Sequence, residues 1–312
     1  MAHMYHSGSL GDRAHRDTLM KIIDYRLLSL HEHYLQTARN YIRQVRLVRD
    51  TKDITLLLDS GAFTAWKRKE PDIAVADLAK SFRGVMKLQK EFKDIFFISL
   101  DVIPGQPGTT PTHEEIKEAI RKSDENHHVL ASEFGDRVLP VFHQGEPEER
   151  LQEVVALNPT YICVSPRNDV VEAQRRTWSQ RVHERIPKET KTHGLATTGG
   201  KMMVEVPWYS VDSAALIQAA AFGKIFFPVG NDLRLLCVSD LSPNRRHLGK
   251  HAETFGPIVR KKIEAYMDKY KLTWQDLATN GGAREIINAI VLVEAAERKH
   301  KDTPVQETLF AL

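Results

Sequence analysis

One pattern recurs along most of the chain: a short apolar run, a polar cluster, then an amphipathic stretch. Residues 54–58 run into Asp59-Ser60-Gly61, and 95–100 into Asp101. Residues 138–142 run into His143-Gln144-Gly145, and 161–164 into Ser165-Pro166-Arg167. Each run is β-branched or aromatic and does not alternate with polar residues, as expected of parallel strands buried on both faces. Runs at 5–7, 26–31, 193–196 and 208–211 bring the set to eight. Between them the spacing predicts helices over 72–92, 112–134, 147–157 and 170–186. Thr112 and Glu115 are placed to form a capping box, and Pro147 to occupy a first helical position.

Strand and helix in this alternation predict right-handed βαβ units, and eight such strands close naturally into a (β/α)8 TIM-type barrel of the α/β class. An open doubly wound sheet is the competitor. No strand is followed by a Gly-rich phosphate fingerprint, however, since residues 194–200 do not fit GxGxxG. A helix over 213–222 precedes two apolar runs, 224–229 and 233–238, which predict a hairpin turning at Gly230-Asn231-Asp232. From Ser242 onward the pattern is helical, over 255–270, 273–277 and 283–299, with the last dozen residues frayed. The predicted organisation is a barrel domain over 1–240 and a helical C-terminal extension over 241–312 packed on it.

With 42% hydrophobic and 27% charged residues, the chain is neither a disordered segment, a collagen-like fibre nor a disulfide-dense mini-protein. No run approaches the roughly 20 apolar residues of a membrane span, and no secretory signal pattern opens the chain, so no membrane role and a cytoplasmic location are expected. Cys163 and Cys237 sit in apolar runs and read as buried, reduced thiols. Lys and Arg number 44 against 41 Asp and Glu, and a net charge of +3 does not by itself mark a nucleic-acid binder.

Barrel enzymes keep their chemistry at the carboxyl ends of the strands. Those positions hold Asp59, Asp101, His143, Gln144, Ser165, His193 and Asp212. Any one Asp there has a structural alternative, capping the next helix or closing an Asx-turn. Three carboxylates with His and Gln between them point to a site. Two carboxylates across one cavity suit chemistry at a sugar anomeric carbon, where one attacks or stabilises the cationic centre and the other handles the proton. No CxxC, HExxH or GxSxG is present, so neither a metal centre nor a serine nucleophile is expected. His113, His127 and His128 read as surface residues.

Leu58-Asp59-Ser60-Gly61-Ala62-Phe63 resembles the Asp-Ser-Gly-Gly-Phe motif of the tRNA-guanine transglycosylases, and residues 56–66 more closely resemble their deazapurine DNA-modifying relatives. Asp101 followed by Pro104 resembles the base-recognising segment of that family, and Phe142-His143-Gln144-Gly145 its Gln-Gly segment. His193-Gly194-Leu195-Ala196-Thr197 resembles its Met-Gly-Val-Gly-Thr stretch, and Tyr209-Ser210-Val211-Asp212 the strand bearing its nucleophile. The ordered set, with the hairpin that follows, spans residues 5–240.

The resemblance implies base exchange on a polynucleotide. Asp212 would attack C1′ and expel guanine, leaving a covalent glycosyl-enzyme, with Asp59 as general acid and base. Asp101 and Gln144 would bond the base edge, with Ser165 and Gly194 adjoining, while Phe63 and His193 would sandwich the purine. A 7-deazaguanine base would then displace the aspartate, and no cofactor is required. The scheme needs Asp59 and Asp212, far apart in sequence, to converge on one purine-sized cavity.

Two departures bear on the substrate. The tRNA enzymes carry a structural zinc site of clustered cysteines and a histidine, where this chain has Cys237 alone, so DNA is the expected polynucleotide. His193 also stands where the family has an apolar stacker. Reaching a stacked purine requires flipping the nucleotide or acting on single strands, at a cost of a few kcal/mol. Arg167, Arg245, Arg246 and Lys250 are candidate phosphate contacts, with Arg260, Lys261, Lys262 and the Trp66-Lys67-Arg68-Lys69 segment as further ones; solvated surface charge is the alternative for each. The expected partners are DNA, a free 7-deazaguanine base, proteins of a DNA-modification system and a second copy of the chain. Exchange on tRNA, a nucleoside or glycoside hydrolase barrel and a non-catalytic DNA-binding subunit are the competing readings.

Overall fold

The computed structural model describes residues 2–7, 13–29, 33–197, 200–229 and 232–297. The expected frayed tail, the end of the last helix beyond 297, turn residues Gly230 and Asn231, and the last two positions of the run 26–31 lie outside them. In chain order the elements begin with β1 (His3–His6), α1 (Arg13–Ile22), β2 (Tyr25–Leu28), α2 (Tyr34–Val45), β3 (Thr55–Leu58), α3 (Ala62–Arg68), α4 (Val75–Met86), β4 (Asp94–Ile98) and α5 (His113–Phe134). They continue with β5 (Val138–Leu139), β6 (Val141–His143), α6 (Glu148–Ala156), β7 (Tyr161–Ser165), α7 (Glu172–His183), β8 (Lys191–Gly194), α8 (Gly200–Glu205), β9 (Ser210–Ser213) and α9 (Ala215–Ala221). The hairpin strands β10 (Lys224–Val229) and β11 (Asp232–Cys237) precede α10 (Pro257–Asp268), α11 (Trp274–Thr279) and α12 (Gly281–Glu297). The chain is therefore α/β, and it divides into a central unit, Asp24–Leu195, and a terminal unit made of Met1–Ile23 with Ala196–Leu312.

In the central unit β2, β3, β4 and β5 lie side by side and parallel, as do β6, β7 and β8. β5 and β6 belong to the single apolar run expected over 138–142, interrupted at Pro140. Proline has no N–H for a ladder, but the Pro140 carbonyl still accepts the Cys163 amide at 2.9 Å. Side chains alternate between faces, and partners in register share a face. One face carries Phe97, stacked at 4.1 Å on Phe82 of α4, and Phe142, stacked at 5.7 Å on Trp178 of α7. This is the helix-covered side. The opposite face carries Leu57, Phe96, Tyr161 and His193, with Tyr161 edge-on to both Phe96 and His193.

Helix ends follow local chemistry. The Thr112–Glu115 capping box forms, with Glu115 N–H donating to Thr112 Oγ1 at 3.2 Å and Thr112 N–H to Glu115 Oε2 at 2.7 Å. Pro147 is the N-cap of α6 and not its first helical residue, its extended ψ of 151° placing it just outside the helix. The helix expected over 72–92 is α4 followed by a 3-10 turn at Gln89–Glu91. His127, expected at the surface, is half-buried in α5; burial, then the charges of Arg150 and His128, push its pKa down to about 4. Cys163 and Cys237 are buried and unbridged.

In the terminal unit β1 runs parallel to β9, with Tyr5 opposite Asp212, and β10 and β11 form the expected antiparallel hairpin. The helix α12 packs on α1, α9, β1 and β10. Leu19 of α1 and Ile23 just after it form one buried cluster with Ile286 and Ala289 of α12. No described helix is long and apolar enough to cross a membrane.

Gly223, which links α9 to β10, adopts φ +69°, and a Cβ there would lie 2.4 Å from the Ser239 Cβ. Its carbonyl also takes the amides of Val238 and Ser239 at 2.9 and 3.1 Å. Gly223→Ala is therefore expected to cost about 2–3 kcal/mol, from left-handed strain plus overpacking. A fall in the urea midpoint without a change in slope would show it.

Candidate functional site

In the central unit the polar residues gather at the carboxyl ends of the strands. Asp59 follows β3, its amide bonded to the Leu28 carbonyl at 2.8 Å, so the strand alternation carries on through it. It thus shares the face of Leu57. Register places His143 beside Ser165 and His193 beside Cys163 on that same face. The turn that follows Asp59 needs Gly61, at φ 84°, to start α3. Phe63 on α3 is exposed and packs on Trp66 at 5.9 Å, while Trp66 Nε1 donates to the Gly105 carbonyl at 2.9 Å.

One side-chain pair joins segments 42 residues apart. His143 Nε2 lies 3.0 Å from Asp101 Oδ2, both side chains largely buried. Ser60 Oγ donates to Asp101 Oδ1 at 3.4 Å, and His143 N–H donates to Glu146 Oε2 at 3.0 Å. Burial opposes the charged imidazolium, but its pairing with Asp101 and the nearby Glu146 carboxylate outweigh burial and the Arg150 charge, so the His143 pKa lies above its ordinary value. Burial raises that of Glu146, against the pull of His143 and Arg150.

The sign of the resulting pH dependence follows from linkage. The folded value of His143 exceeds the unfolded one, near 6.5. The stabilisation from the pair is complete below about pH 6.5 and is lost as pH rises through the folded value. Histidine NMR is expected to give His143 a midpoint above 6.5. Asp101→Asn should bring it down, because burial then acts with less opposition.

Gln144 bridges two strand ends. Its amide N–H donates to the Ser165 carbonyl at 2.9 Å, and its Oε1 accepts the Arg167 amide at 3.0 Å. Its side-chain NH2 makes no hydrogen bond among the described residues. Gly194 ends β8. His193 lies one position inside that end, fully buried, because β8 begins two residues earlier than the run 193–196 suggests.

Asp212 belongs to the terminal unit, in β9. Its Oδ1 accepts the Ala196 amide at 3.0 Å, and its carbonyl accepts the Thr197 amide at 3.1 Å. Ala196 stands where the resemblance has Gly and adopts φ 51°, a left-handed conformation unusual for a residue with a Cβ. The carboxylate is thus held by a backbone donor on a strained loop.

The chain matches no family model and no curated protein.

Among the proposed phosphate contacts, Arg167 pairs with Asp169 at 2.8 Å, and Arg245 pairs with Glu253 at 2.9 Å and Asp240 at 3.4 Å. Arg246 and Lys250 are exposed, with no ion-pair partner among the described residues. Arg260 pairs with Glu264 at 3.0 Å and lies over Trp274. No group of three or more described His, Cys, Asp or Glu side chains is arranged to hold a metal ion. Sequence reasoning gave no role to Ser60 or Glu146, and named His143 without a partner. The available signal was their adjacency to Asp59 and Gln144.

Proposed function

We propose that this protein is a DNA guanine transglycosylase that exchanges guanine for a 7-deazaguanine base, its parallel strands forming a (β/α)8 barrel with a helical C-terminal layer. The observation that carries the reading is Asp101. Both its oxygens are engaged, by Ser60 and His143, past the end of a strand, and the amide NH2 of Gln144, next to His143 in sequence, makes no hydrogen bond among the described residues. Guanine presents N–H donors at N1 and N2 and acceptors at O6 and N7, so a fixed carboxylate acceptor and a separate amide donor have the chemistry to complement it.

On this reading an Asp212 oxygen attacks C1′ as the bond from C1′ to N9 breaks, and guanine leaves with a proton from the Asp59 carboxylic acid. The incoming deazaguanine returns its N9 proton to the Asp59 carboxylate, and its nitrogen displaces Asp212 from C1′. One glycosidic bond replaces another, so the step consumes no nucleotide triphosphate.

The test follows labelled guanine, then a labelled deazaguanine, into duplex DNA, single-stranded DNA and tRNA with purified protein. Label in DNA supports the reading. Label in tRNA alone moves the substrate to RNA. Release of free base to water, with no polynucleotide required, replaces the reading by a hydrolase. DNA binding without exchange, even with partner proteins, replaces it by a non-catalytic subunit. The pairing of Arg167 and Arg245 with carboxylates of their own chain favours a second reading, in which partner proteins supply much of the grip on DNA.

A further inference from the structure

We propose that His143 is a positioning residue that sets base specificity by fixing the Asp101 carboxylate against the exocyclic amino group of guanine. The inference rests on the base-exchange reading and goes beyond it, since that reading gives His143 no role. It stands on geometry. Asp101 lies in the segment after β4, where no strand ladder restrains its side chain. What restrains it is Ser60 on Oδ1 and His143 on Oδ2, the latter at 3.0 Å with both groups largely buried. His143 is fixed in turn, by its register opposite Ser165 and by the bond from its amide to Glu146. Asp101, Glu146 and Arg150 are the charged groups acting on its ring. A carboxylate whose rotamer is set in advance spends none of its binding energy on ordering, and a site built to accept an N–H rejects analogues that lack it.

Two substitutions separate the role of the ring nitrogen from that of mere bulk. The side-chain amide of Gln places its nitrogen near the position of Nε2, whereas that of Asn reaches only that of Nδ1. Equilibrium dialysis of guanine and hypoxanthine, which lacks the amino group, measures the preference directly and without catalysis. The wild type is expected to prefer guanine. His143→Asn should cut that ratio by about tenfold through weaker guanine binding, and His143→Gln should restore most of it. If His143→Asn does not fold, His143→Ser, which also lacks a group at the Nε2 position, takes its place and should likewise cut the ratio by about tenfold. A wild-type preference that survives in His143→Asn, or in His143→Ser where that variant has to stand in, overturns the role of His143 and leaves base exchange intact. So does a loss in His143→Asn that Gln does not restore. Failure of the wild type to bind either base overturns the base-exchange reading itself.

Discussion

Asp212→Asn is expected to lower base exchange by about four orders of magnitude while leaving the fold intact. The amide keeps the shape of the carboxylate and retains an oxygen to accept the Ala196 amide, now at 3.0 Å, so the loop and β9 keep their local bonding. What it loses is the negative charge that stabilises the developing cation at C1′ and the oxygen nucleophile that forms the glycosyl ester. Asp59→Asn should cost less, about 10²–10⁴-fold, because general acid–base catalysis contributes on that scale. Incorporation of labelled guanine measures both. A covalent protein–DNA adduct should be trapped with the wild type and be missing with Asp212→Asn. Exchange unchanged in Asp212→Asn would remove the nucleophile from the scheme.

The largest expected loss of stability is at Asn288, a fully buried polar residue in the middle of α12. Its Oδ1 accepts the Phe226 amide at 2.7 Å, and its Nδ2 donates to the carbonyls of Leu216 at 3.1 Å and Lys224 at 3.3 Å. One side chain thus ties α12 to the first turn of α9 and to β10. Asn288→Leu strands three backbone groups away from water, and its extra apolar surface offsets only part of that. The expected cost is about 3–5 kcal/mol, measured by urea unfolding. A loss below about 1 kcal/mol would mean that water replaces all three bonds.

The strands of the central unit were legible because parallel strands buried on both faces must be continuously apolar, as Leu56, Leu57 and Leu58 are. The interruption at Pro140 had its own signal, a proline inside the run. Helix α2 was overlooked although Tyr34, Ala38, Tyr41, Ile42 and Val45 bury one face at helical spacing, because tyrosines and intervening arginines blur the contrast. Helix α1 was harder to see, since Leu19 within it and Ile23 just past its end find their partners on α12, more than 260 positions away. At the site, the types and strand-end positions of Asp101, His143 and Gln144 could be read directly. The Asp101–His143 pair could not, since no local pattern reports which strand ends are neighbours. The bonding of Asp212 to Ala196 was equally hidden, because it depends on a backbone angle that alanine seldom adopts.

The terminal unit is sewn together from segments almost the length of the described chain apart: the Ala2 amide bonds the Ala296 carbonyl at 2.8 Å. A ribosome adding about 5–20 residues per second reaches α12 roughly 15–60 s after it has made β1. Throughout that interval β1 and α1 have no native mate on α12, and their apolar residues must be shielded by something else. Synthesis speed and chaperone supply should accordingly govern the yield of intact molecules more than they would for a domain whose neighbours in space are neighbours in sequence.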